Sequence, residues 1–304
     1  MESGDVAIVC KGLSKRYRGS DVFALNNLDL EVRAGEVYGF LGPNGAGKST
    51  TIRTLLNFIQ PTRGQATILG KDIVRDSVEI KRSIGYMSGE LSMYRKMTGN
   101  QFLDYMEELL PAASKAYRQE LAKRFKADLT KPLGDLSRGN RQKIGIVQAF
   151  MHQPAVVILD EPTSGLDPLM QEEFYELLVE TKQRGAAVFS SSHILGEVQK
   201  MCDRVGIIRE GKLIAERVVA DMASEAAQTF DIVFKDEPPL SALKKIKGVQ
   251  LTSHHGRAIT LHIHGELAPL FAELAKHDVT NLDTSHLDLE EVFLRFYKQK
   301  GGWK

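Results

Sequence analysis

Gly42-Pro43-Asn44-Gly45-Ala46-Gly47-Lys48-Ser49-Thr50 gathers the residue types that act on phosphate. Glycines let the backbone curl so that successive N–H groups point at one anion. Lys48 supplies a cation for β- and γ-phosphate oxygens, and the Ser49 hydroxyl completes a Mg²⁺ shell. An apolar run, Val37 to Leu41, precedes the loop, and a helical pattern, Thr51 to Phe58, follows it. The helix N-terminus adds a dipole that favours an anion. A glycine-rich turn matches the spacing alone, whereas strand, GxxxxGK[ST] and helix in that order favour a nucleotide.

Val156-Val157-Ile158-Leu159-Asp160-Glu161 ends an apolar run in two carboxylates. Asp160, at the strand end, is expected beside the phosphate loop, as a Mg²⁺ ligand directly or through water. Glu161 would then sit on the γ-phosphate side, where it orients and polarises the attacking water. An acidic turn leading into Pro162 accounts for the same residues without chemistry.

Leu136-Ser137-Arg138-Gly139-Asn140 precedes this pair, and His193 follows it. With the phosphate loop, this order resembles the nucleotide-binding subunit of ABC transporters over roughly residues 4 to 220. The resemblance implies an ATPase using ATP and Mg²⁺, in which two subunits face head to tail around the nucleotides. It implies that Lys48, Glu161 and His193 act in catalysis, His193 in Ser191-Ser192-His193 sensing the γ-phosphate. Ser137 and the Gly139 backbone would contact the γ-phosphate held by the partner. Asp167, in Ser164-Gly165-Leu166-Asp167, matches the loop along the dimer seam. Tyr17 matches the aromatic platform under adenine, against the alternative of a partly buried strand aromatic.

Two departures stand out. Arg138 and Asn140 replace a glycine and the glutamine of the usual LSGGQ signature; Arg138 either adds a cation near the partner's phosphates or points into solvent. In Ile84-Gly85-Tyr86-Met87-Ser88-Gly89-Glu90, Gly89 stands where the family carries a glutamine that reaches Mg²⁺. Glu90 either replaces that contact, as a metal ligand, or is an exposed loop acid.

The elements that must position these residues read as α/β. Strands are expected at Val6 to Cys10, Phe23 to Val32, Val37 to Leu41, Ala66 to Leu69, Val156 to Leu159, Ala187 to Ser190 and Val205 to Ile208. Several are apolar throughout, as in sheets covered on both faces. The strand signal fades over about 97–150, where Thr98 and Ser114 read as helix caps, giving a helical insert. The fold class is therefore a P-loop NTPase core with a helical insert and a β-rich subdomain, residues 1–222. A small α+β domain, residues 223–304, follows, and its order βαββαβ resembles a split-βαβ, ferredoxin-like unit.

With 304 residues, about two domains are expected. Forty Lys and Arg against 39 Asp and Glu leave a net charge of +1, which speaks against a strongly basic nucleic-acid grip. Cys10 and Cys202 supply no disulfide framework, the opening MESGDVAIVC has no secretory pattern, and no apolar run is long enough to span a bilayer. The expected setting is cytoplasmic, on the inner face of the cell membrane. The expected partners are a second ATP-binding subunit, as homodimer or heterodimer, and a separate transmembrane permease, with no nucleic acid. The stretch Leu289 to Leu294 resembles the C-terminal LEEVFL helix of ABC-2-type exporter ATPases. An importer ATPase, or an ABC ATPase acting on ribosomes or DNA, is the alternative. His254, His255, His262, His264 and His286 cluster near the end, where polar strand residues account for them better than a metal does.

Overall fold

A computed structural model describes residues 5–89, 94–110, 114–225, 228–263 and 265–286. Glu90, His264 and residues 287–304, with the LEEVFL stretch, lie outside the described residues. The chain divides into two compact units, Met1–Arg217 and Val218–Lys304.

The first unit opens with β1 (Val6–Arg16), β2 (Phe23–Arg33) and β3 (Val37–Leu41), then α1 (Lys48–Leu55). There follow β4 (Arg63–Ile68), β5 (Lys71–Asp72), α2 (Ser77–Ser83), β6 (Ile84–Met87), α3 (Gly99–Leu109), α4 (Lys115–Arg124) and α5 (Arg138–Phe150). The remainder is β7 (Val156–Asp160), α6 (Pro168–Gln183), β8 (Ala187–Ser192), α7 (Leu195–Met201), β9 (Arg204–Arg209) and β10 (Lys212–Val218).

Two sheets result. One has the order β2-β1-β4-β5, with β1 antiparallel to both β2 and β4. The other has the order β10-β9-β3-β8-β7-β6, in which the pairs from β9 through β6 are parallel. Every residue of β3 and β8 is buried, which explains their unbroken apolar or small-residue runs. Ile8, Leu28 and Ile68 of the first sheet share one core with Phe40, Ile158 and Phe189 of the second and with Ile52 and Leu55 of α1. The phosphate-loop helix is thus buried between two sheets, and its position is fixed by both.

The insert forms as its caps predict. The Thr98 hydroxyl accepts from Gln101 N–H at 3.2 Å while the Gln101 side chain accepts from Thr98 N–H at 2.9 Å, and Ser114 caps α4. Leu103, Leu121 and Phe125 are buried there, as are Ile144 and Val147 of α5. Gly85 lets α5 close on β6: a β-carbon there would lie 2.1 Å from the Ala149 carbonyl.

The structure extends β1 to Arg16 and adds three strands to the seven expected in this unit: β5, β6 and β10. β5 has two residues, and Gly85 interrupts the apolar run of β6. The Lys, Glu and Arg of β10 hide its alternation.

The second unit comprises α8 (Val219–Glu225), β11 (Gln228–Phe234), α9 (Leu240–Leu243), β12 (Val249–His255), β13 (Ala258–Ile263), α10 (Ala268–Leu274) and β14 (Val279–His286). Its antiparallel sheet runs β12-β13-β11-β14. Counted within βαββαβ, the fourth strand flanks the first and the third separates the first from the second, which is the split-βαβ arrangement. Alternate residues Phe230, Ile232 and Phe234, with Ile259, Leu261 and Ile263, bury one face against Leu243, Leu270 and Leu274. The helices α9 and α10 end at Leu243 and Leu274, short of the expected Leu240 to Ile246 and Leu267 to His277.

Candidate active site

Three adjacent parallel strands, β3, β8 and β7, end beside one another, and Lys48 at the start of α1, His193 after β8 and the Asp160-Glu161 pair at the end of β7 lie at or just beyond those ends. Loops at the C-terminal edge of a parallel sheet are where such folds bind ligands. The phosphate loop turns through positive φ at Gly45 (82°) and Gly47 (115°) before α1 begins. At Gly47 a β-carbon would also come within 2.7 Å of the Ala24 carbonyl, so the position requires glycine twice over.

Lys48 is only 5% exposed. Its Nζ donates to the Gly42 carbonyl at 2.7 Å and to Pro43 at 3.3 Å, and lies 3.8 Å from Glu161 Oε1. Burial pulls its pKa below the ordinary lysine value, against the raising influence of Glu161 and Asp160. An ammonium held by carbonyls at the base of a glycine loop, with two carboxylates near, suits phosphate oxygens and a divalent cation together. ATP and Mg²⁺ therefore fit the residues present.

Asp160 accepts from Ser191 Oγ at 2.5 Å. Glu161 has φ of 49°, the left-handed region, and its N–H donates to the Ser191 carbonyl at 3.2 Å. A non-glycine residue held there costs of order 1–3 kcal/mol, and such strain clusters at functional sites. Its Oε1 meets His193 Nδ1 at 3.0 Å, so Glu161 stands between Lys48 and the histidine. Gly89 lies against Asp160: a β-carbon on it would be 3.1 Å from the Asp160 carbonyl and 3.7 Å from its carboxyl carbon. Tyr17 is 40% exposed beside α1, its hydroxyl 3.3 Å from Thr50 Oγ1.

Ser137 caps α5, accepting from Asn140 N–H at 3.2 Å, and Asp167 caps α6, accepting from Met170 N–H at 3.1 Å. Asn140 is a clip to the insert: its Oδ1 accepts from Asp128 N–H and its Nδ2 donates to Asp128 O, each at 3.0 Å. Arg138 is exposed at the start of α5. It donates to Ser164 Oγ at 2.6 Å within its own chain.

Two site-supporting residues escaped the sequence reading. Glu197 of α7 accepts from Thr163 Oγ1 at 2.5 Å and from Ser192 Oγ at 2.7 Å, the neighbours of Glu161 and His193. Buried Gln142 of α5 donates to the Glu161 and Pro162 carbonyls at 3.3 and 2.8 Å. Glu197 lies four residues after His193 and Gln142 lies within the signature helix, the only signals that could have pointed to them.

The family model described as "ABC transporter" matches residues 25–164. The chain is 34% identical to the bacitracin transport ATP-binding protein of Bacillus licheniformis, over 93% of this chain and 94% of that one. It is 33% identical to the doxorubicin resistance ATP-binding protein of Mycobacterium tuberculosis, over 97% and 92%. This chain belongs to the ATP-binding proteins of ABC transporters. The solved structure of an ATP-binding subunit of an ABC transporter overlays with TM-score 0.66 at 30% identity, over 71% of this chain and 91% of that one. A dimeric bacterial ABC transporter cassette, 21% identical, shares the fold with TM-score 0.64, over 70% and 98%. The subunit binds and hydrolyses ATP.

Among the described residues, no helix is long and apolar enough to cross a membrane, and no group of three or more His, Cys, Asp or Glu is placed to hold a metal. In the second unit His254 Nε2 lies 2.9 Å from the Gly256 carbonyl, a turn contact.

Proposed function

We propose that the subunit drives export through a separate membrane permease, by closing head to tail with a second copy of itself around two ATP molecules. The observation that carries the hydrolytic part is Glu161, held in a strained backbone between Lys48 at 3.8 Å and His193 at 3.0 Å. In this reading Glu161 orients the attacking water and takes its proton, while His193 fixes the carboxylate and senses the γ-phosphate. Lys48 holds the β- and γ-phosphates, the 42–50 loop wraps them with its N–H groups, and Tyr17 stacks on adenine. Ser49 and Asp160 would hold Mg²⁺, which when bound neutralises phosphate charge. Ser137 and Gly139 present a helix N-terminus to the nucleotide of the partner, and Asp167 lies along the seam. The subunit works on the inner face of the membrane.

Export is supported by the names of the relatives, one for bacitracin transport and one for doxorubicin resistance. The Glu161→Gln variant should still bind ATP and lose about 10²–10⁴ in turnover, the range of general-base contributions. ATP binding by fluorescence with single-turnover hydrolysis checks this. Near-native turnover removes Glu161 from the role.

A further inference from the structure

The first turn of α5 is fastened to the loop that follows Glu161 at several points. Arg138 Nη2 donates to Ser164 Oγ at 2.6 Å, and the Ser164 N–H donates to the Glu161 carbonyl at 3.3 Å. Between them Gly139 stands so close to Gly165 that a β-carbon would lie 2.6 Å from the Gly165 carbonyl. Lys143 Nζ is 3.9 Å from Asp167, and Gln142 donates to Glu161 and Pro162. The loop that would read one ATP is therefore joined, inside one chain, to the backbone of the residue that would hydrolyse the other.

From this we infer that Arg138 is a positioning residue that couples the two ATP sites, and that it does so by tying the signature loop to Ser164 rather than by reaching the partner's phosphates. The inference rests on the head-to-tail dimer proposed above. Closure of the signature loop on the partner's nucleotide pulls on Ser164 through a charge-assisted hydrogen bond. Ser164 in turn holds the Glu161 carbonyl, so closure at one site biases the geometry of the general base at the other. Such coupling is a free energy shared between sites and is read as cooperativity. The flanking contacts of Gln142 and Lys143 keep α5 and the loop packed when Arg138 is removed, so the variant loses coupling rather than fold.

The test is the ATP dependence of steady-state hydrolysis by the purified chain, with dimer formation followed by sedimentation in ATP. The wild-type chain should dimerise and give a Hill coefficient approaching about 2, the number of sites. Arg138→Ala should lower it to about 1, with kcat reduced and monomer affinity for ATP unchanged. Ser164→Ala should do the same, the double variant should add nothing, and Arg138→Lys should restore part of the cooperativity. A cooperative wild type with equally cooperative Arg138→Ala overturns the inference and leaves the dimer reading standing. Loss of cooperativity in Arg138→Ala but not in Ser164→Ala also overturns it, since Arg138 then acts on phosphate. A wild-type chain that stays monomeric in ATP overturns the dimer reading and the inference together.

Discussion

Glu197 acts through its neighbours. Its two carboxylate oxygens accept from buried Thr163 and buried Ser192, so one side chain on α7 sets the spacing between the loop after Glu161 and the end of β8 just before His193. Removing it leaves the buried Thr163 hydroxyl without its acceptor and Ser192 Oγ with only the longer bond to the Ile194 carbonyl at 3.3 Å, and loosens both segments. Glu197→Ala should therefore lower kcat on the order of ten- to a hundred-fold, because small misplacements of reacting groups cost that much. ATP affinity should stay near native, and in a His193→Ala background the extra loss should shrink, since the two changes then damage one contact. Initial-rate kinetics of the single and double variants decide it. At this scale, legibility followed chemistry. Lys48, Asp160, Glu161 and His193 could be named because motif and strand end converge on them. Glu197 and Gln142 could not, because a carboxylate or amide on a helix reads as surface until the fold turns it inward.

Between elements, the junction of α5 with β6 combines a close approach at Gly85 with a buried histidine. His152 Nε2 lies 3.1 Å from the Ile84 carbonyl, a contact that the neutral ring makes as an N–H donor, and burial lowers its pKa. The folded ring resists a proton that the unfolded ring accepts, so the contribution is fully present above the ordinary histidine value, about 6.5, and is lost as pH falls below it. His152→Gln, which keeps an N–H for Ile84, should flatten the fall in urea midpoint between about pH 7 and about pH 5.5. An unchanged slope assigns that pH dependence to other groups. Elements with strong local signals were legible: Val37–Leu41 matched the expected strand, and the Thr98 and Ser114 caps began their helices where expected. β6 and β10 were not, because pairing to neighbours, rather than their own alternation, makes them strands.

For the molecule as a whole, the split-βαβ arrangement of the second unit was anticipated from its element order βαββαβ, whereas the two-sheet core of the first was not. Register and strand order depend on partners distant in the chain, which the local pattern of residues does not name. The order β3-β8-β7 has a bearing on synthesis. The phosphate-loop strand and the Asp160 strand are not neighbours; β8, residues 187–192, must slip between them. A nascent chain that has exposed Lys48, Asp160 and Glu161 still lacks the strand that joins them, and its two apolar strand edges stand open to wrong pairing. A chain ending at Gly185 should bind no ATP and should aggregate, and ATP should protect against proteolysis only once β8 is present. Protease resistance of ribosome-bound chains stopped at successive lengths would locate that step. The nucleotide site is thus a late product of the growing chain, and ATP can stabilise the domain only after its middle strand has arrived.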